Sequence, residues 1–149
     1  LFGGAAMIGG ASPLLRIVRK TITYTGATNL GEAGSNVTIF TVTGQIHVVV
    51  LVPYCTVNLT ESGVTATITL GTASTTNLFI AATNSVDIDA NDVWTALAPT
   101  TRSLAIPAAL KDIAVNDNIV NACAVTNTNG GAIQYTLVYY PLSAGATAV

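Results

Sequence analysis

The chain has 149 residues, enough to bury most of its unfolded surface as one domain without a metal or a disulfide staple. Half of it is apolar and only 8% is charged, against about 25% in an average soluble domain; five basic and seven acidic residues leave a net charge of −2. No basic field is available to neutralise a phosphate backbone, and a single His leaves little for acid–base work, so neither nucleic-acid binding nor catalysis is expected.

Residues 1–15 (LFGGAAMIGGASPLL) are uncharged and interrupted by four glycines and Pro13. The run is too short and broken to span a bilayer, which takes about 20 apolar residues, so no membrane partner is expected. It has no basic stretch ahead of it, as a complete signal peptide would, and it opens on Leu1, which suggests trimming or an internal start to the numbering. Glycine raises the entropic cost of ordering such an arm, and burial of Phe2, Met7, Ile8, Leu14 and Leu15 offsets it only where a neighbour offers an apolar groove. These five are candidate interface residues on an extended arm, with a β-domain over 16–143 and a tail over 144–149.

From Ile17 onward the dominant period is two, the signature of strands. NVTIFTV and QIHVVVLV are β-branched runs separated by Thr43 and Gly44, a tight-turn signal. VTATITL sets Val64, Ala66, Ile68 and Leu70 on one face and Thr65, Thr67 and Thr69 on the other, predicting a half-buried antiparallel strand; Glu61-Ser62-Gly63 supplies a hairpin loop from YCTVNLT. NLFIAAT, SVDID, VWTAL, SLAIP, NIVNACAVT and AIQYTLVYY are further strand candidates, the last two joined through Asn127–Gly131 as a hairpin. PAALKD is the only helix-like stretch and reads as a connector. Eight to ten strands with frequent turns predict an all-β, jelly-roll-like antiparallel sandwich.

Candidate sites are few. His47 lies within a strand without a nucleophile elbow nearby and reads as a structural residue. Asp87, Asp89, Asn91 and Asp92 in DIDAND resemble the opening of a calcium loop, and a weak site shared with Asp117 is the alternative. The pattern then lacks the glycine and the closing glutamate, so an acidic turn is the plainer reading; no metal or cofactor is expected. Cys55 and Cys123 sit in apolar runs and read as buried thiols, with a bridge possible only between neighbouring strands. In the last strand, Ile133, Tyr135, Leu137 and Tyr139 share the core-facing side, which leaves Tyr140 on the opposite face as a further interface candidate.

Three stretches complete the reading: TGQIHVVVLVPYCTVNL with its following VTATITLGTA, then IAATNSVDIDANDVW, then NIVNACAVTNTNGGAIQYTLVYYPLS. Together they resemble a group of small bacteriophage virion proteins that decorate or cement tailed-phage heads, often as trimers. The resemblance runs from about Thr21 to Ser143 and leaves the arm outside. It implies a jelly roll related to the tumour-necrosis-factor type and a non-enzymatic subunit on the capsid surface of a virion. It also implies self-association as a homotrimer or higher assembly, and the major capsid protein as partner. A fibre or tail component and a carbohydrate-binding β-sandwich module are the alternatives. A sugar binder should expose aromatic side chains beside polar groups, and only Trp94 near Asp92 fits that pattern.

Overall fold

β-Branched runs alternating with turn residues fold here into ten strands: β1 Arg16–Thr23, β2 Asn36–Phe40, β3 Val42–Thr43, β4 Ile46–Glu61, β5 Thr67–Thr72, β6 Ile80–Asn84, β7 Lys111–Val115, β8 Ile119–Ala124, β9 Thr128–Pro141 and β10 Thr147–Ala148. The computed structural model describes residues 14–96 and 98–149. Two four-stranded antiparallel sheets, ordered β1-β9-β4-β7 and β2-β8-β5-β6, enclose one apolar core, and β3 pairs with β10 at one end. The chain changes sheet between β1 and β2, β2 and β4, β4 and β5, β6 and β7, β7 and β8, and β8 and β9; only β5 and β6 are consecutive neighbours. That winding is a jelly roll, as the strand pattern predicted.

Both predicted hairpins, and the predicted tight turn at Thr43-Gly44, are sheet crossings instead. Gly44 (φ +71°) and Gly63 (φ +91°) do turn the chain, but they carry it from one sheet to the other. Between β8 and β9 the positive φ falls on Val125 (+70°), and Asn129-Gly130-Gly131 lie inside β9. Gly131 (φ +96°) is required there by space as well: a Cβ would stand 2.7 Å from the Cα of Leu59 on β4. A turn signature fixes a reversal of the chain and says nothing of which sheet the next strand joins.

QIHVVVLV and YCTVNLT fuse into one 16-residue strand, β4, across Pro53. β7 pairs only with Ile46–Val50, so at Pro53 one edge of β4 has just the isolated Tyr54–Val93 bridge and the missing N–H is tolerated. A bulge between Val48 and Val50 switches the inward positions from Ile46 and Val48 to Leu51, Pro53 and Cys55. Three other expected strands are absent. SVDID holds a short 3-10 turn, Ser85–Asp87, the described part of VWTAL (residues 93–96) makes only isolated bridges through Val93, and SLAIP forms no strand. PAALKD is a 3-10 turn, Ala108–Leu110, leading directly into the unforeseen β7.

The expected tail is a further correction. Residues 144–149 are built into the domain: Thr147 and Ala148 pair with β3, and Ala146 and Ala148 are buried. The Tyr139 hydroxyl accepts from the Ala148 N–H at 3.0 Å, fastening the chain end beneath β9. Small alanines fit where the end must pass close to the core.

A candidate subunit interface and the other sequence sites

β9 lies between β1 and β4, so its alternating side chains set the two faces of the first sheet. Ile133, Tyr135, Leu137 and Tyr139 are buried, as expected, while Gln134, Thr136, Val138 and Tyr140 are half-buried on the outer side. Register places Ile17 opposite Val138 and Val138 opposite Val50. None of the three joins the core, and Ile17 is 65% exposed. In the next row Arg19 faces Thr136, and its Nε donates to the Thr136 Oγ1 at 3.3 Å.

Tyr140 packs on this outer face against His47, its direct cross-strand neighbour, with ring centroids 4.7 Å apart and planes 13° from parallel. His47 Nε2 lies 3.3 Å from Asp112 Oδ1 on β7, where Asp112 adopts a left-handed φ of +56°. No other basic and acidic side chains approach within salt-bridge distance among the described residues. The apolar row therefore runs from the edge strand β1 across β9 to β4, with Arg19 in the neighbouring row and the exposed Lys111 of β7 paired with Val50 at its end. Leu14 and Leu15 are 73% and 63% exposed at the start of β1. Phe2, Met7 and Ile8 lie outside the described residues. The sequence pattern does not single out Ile17, Val50 and Val138. Their only signal is apolar residues on the solvent side of a period-two pattern, and which side that is depends on the core.

The acidic run does not converge. Asp87 ends the 3-10 turn and points to solvent, Asp89 Oδ1 accepts from Asn58 Nδ2 at 2.9 Å, and Asp92 Oδ2 accepts from the Asp89 N–H at 3.1 Å. Asp117 is occupied elsewhere: its Oδ2 accepts from the Ser74 N–H and Oγ, contacts that hold its carboxyl below the usual carboxylate range. No three His, Cys, Asp or Glu side chains gather in ligand positions among the described residues. Chelation is accordingly expected to leave Tm unchanged in a calorimetric scan. A calcium-dependent rise of several degrees would place an ion on Asp87 and Asp89.

Cys55 on β4 and Cys123 on β8 are free and buried. Burial is the main cause that pushes each thiol from 9.0 up to about 11. A group whose pKa is raised on folding stabilises the fold below its unfolded value, and that contribution is lost as pH climbs through the folded value. Tm is therefore expected to fall between about pH 9 and pH 11, and Cys55→Ala/Cys123→Ala should flatten the fall. A thiol reagent at pH 8 should label neither Cys until the chain unfolds; rapid labelling of the native protein contradicts this.

Two buried polar features escaped the sequence reading. Trp94 is fully buried, its Nε1 donating to Thr83 Oγ1 at 2.9 Å. The aromatic that a sugar binder would expose is thus part of the interior. Asn121 on β8 bridges the sandwich: the hydroxyls of Tyr24 and Tyr135 each approach its Oδ1 at 2.5 Å, and they lie 2.8 Å from one another. Its Nδ2 donates to the Thr69 carbonyl of β5 at 2.9 Å.

No protein-family model matches this chain, nor does any curated protein or any solved structure.

Proposed function

We propose that this protein is a non-enzymatic structural subunit of a bacteriophage virion, a decoration or cement protein that strengthens the head shell by adding subunit contacts. The observation that carries the reading is the apolar row Ile17–Val138–Val50 on the outer sheet face, where Ile17 is exposed and Val138 and Val50 are half-buried among the described residues. Charge poverty supports it, because interspersed charge is what keeps a monomer from its neighbours and interface cores are depleted in it. The jelly roll adds support as a winding suited to rigid shells, since its two sheets lock against each other through six crossings. Its mechanism is adhesive: interface area adds stability without chemistry. Trp94, the aromatic that the sequence offered to the sugar-binding alternative, is buried, while Tyr54 is exposed with its hydroxyl donating to Asn91 Oδ1 at 2.9 Å.

Light scattering of the purified chain at micromolar concentration should return a trimer or larger multiple of 15.1 kDa. A monomer would sink the self-associating part of the proposal. Symmetry-resolved imaging of phage particles from a lysate expressing this sequence should show the jelly roll repeated at regular positions on the head. Density confined to fibre or tail would move the protein to that part of the virion. Purified particles devoid of the chain would overturn the reading altogether.

A further inference from the structure

We infer that the end of the sandwich that presents Val125 docks on the first half of β1 of a second copy of this chain. The inference rests on the self-association proposed above and adds which two surfaces meet. At this end the Thr126 N–H donates to the Ala124 carbonyl at 3.0 Å, closing a tight turn around Val125 at φ +70°. Such a turn is strained for any residue with a Cβ, and most of all for a β-branched one. The neighbouring turn is closed in the same way, from the Val64 N–H to the Ser62 carbonyl at 3.2 Å, but its centre is Gly63 at φ +91°, where the conformation is nearly free. Thr126 Oγ1 donates to the Val64 carbonyl and ties the two turns together. Val125 is 69% exposed and Val64 61%. A strained apolar side chain left in water is not stabilised by its own domain; a contact with another molecule offsets the cost.

Charge selects the partner surface. The loops closing this end, residues 24–35, 61–66, 85–88 and 125–127, carry Glu32, Glu61 and Asp87 and no Lys or Arg. Arg102 follows the Val93–Thr100 bridge and Lys111 opens β7, so neither belongs to these loops. The other cations, Arg16, Arg19 and Lys20, stand on β1 beside the exposed Leu14, Leu15 and Ile17. Neither β1 nor β9, its strand neighbour among the described residues, holds an acidic residue. One surface is apolar and acidic and the other apolar and basic, so each copy offers the next its complement. Two like ends would set carboxylate against carboxylate. Residues 1–13 and Leu97 have no charged side chain, so this balance holds whatever path they take. Within one chain the two surfaces cannot meet: Ile17 stands opposite Val138, ten residues along β9 from Thr128 at the acidic end. That is a separation of roughly 30 Å along a hydrogen-bonded strand. The contact is therefore between chains and head-to-tail, closing into a ring where the rotation permits.

The test is sedimentation of the full-length chain and its variants over a range of concentrations at low salt, where exposed charges are least screened. Arg19→Glu/Lys20→Glu and Glu32→Lys/Asp87→Lys should each weaken self-association at least tenfold. The two variants should bind each other at least tenfold more tightly than either binds itself. Arg102→Glu/Lys111→Glu changes the net charge as much as the first variant but leaves both surfaces intact, and it should associate within threefold of the wild type. Val125→Gly removes the strain along with the side chain. It should weaken self-association at least tenfold while Tm of the dissociated chain stays the same or rises. Surface variants that associate like the wild type, or a control that weakens as much as they do, overturn the inference. If the wild type is a monomer throughout, this contact and the proposed self-association fall together. If it is a multimer that these changes leave intact, self-association stands and this contact falls. If the variants behave as expected and the chain is missing from particles, the contact stands and the virion reading falls.

Discussion

Replacing Asn121 with Ala is expected to destabilise the protein by about 3–5 kcal/mol, at the upper end of what a single substitution does. Asn121 is fully buried between the sheets, where its Oδ1 meets the hydroxyls of Tyr24 and Tyr135 and its Nδ2 reaches the Thr69 carbonyl. Two hydroxyl protons serve three close oxygen contacts, so one hydroxyl donates to the amide and the other donates either to the amide or to its fellow hydroxyl. Removing the amide leaves the two hydroxyls only each other at 2.8 Å, so one hydroxyl proton and the Thr69 carbonyl lose their partner in a dry interior, at about 1–3 kcal/mol for each that stays unpaired, and a cavity is added. The same burial drives both tyrosine pKa values up, so neither hydroxyl ionises as a way out of the conflict. Urea titration should show a lower midpoint with an unchanged slope. Tyr135→Phe should cost only about 1–2 kcal/mol, because one hydroxyl and the amide can still pair. The two changes made together should lose less than their sum, as expected for members of one network. A loss under about 1 kcal/mol for Asn121→Ala would mean that the network is solvated rather than sealed.

Trp94→Ala is expected to cost a similar amount, about 3–5 kcal/mol, for a different reason. Its indole is completely enclosed within the core cluster, and its Nε1–H is satisfied by Thr83 Oγ1. Truncation therefore opens a cavity rather than stranding a charge, and Trp94→Phe should cost less, about 1–3 kcal/mol, since most of the volume is kept. The chain has a single Trp, which makes its emission a direct report on this site. Native emission should be blue-shifted and resistant to a soluble quencher, and it should not change when oligosaccharides are added. Quenching as efficient as that of free indole, or a saccharide-dependent shift, would return Trp94 to the surface and revive the sugar-binding alternative.

The strand content was legible because apolar and polar residues alternate with period two in most strands. The inward set Ile133, Tyr135, Leu137 and Tyr139 could be named from β9 alone, since a pleated strand has only two faces and the tyrosines and aliphatics crowd onto one. The burial of Cys55 and Cys123 was legible for the same reason. The sequence also marked the places where the chain must turn, through Gly44 and Gly63, because positive φ is nearly free for glycine. β7 was missed since KDIAV follows a proline–alanine stretch and is too short to show a period of its own.

What the sequence by itself determined was therefore composition, the all-β class and the inward side of the regular strands, properties set by backbone geometry within a few residues. Which strands become neighbours was decided only by the tertiary structure, because a turn reverses the chain equally well into a hairpin or across to the opposite sheet. Three turn signals led to crossings, and that difference separates a jelly roll from a meander. The same holds for contacts that depend on register: Asn121 with two tyrosines 97 and 14 residues away, His47 stacked on Tyr140, and the row of Ile17, Val138 and Val50. Pairing energy comes from side chains distant in sequence, and only the folded sheet brings them within reach of one another.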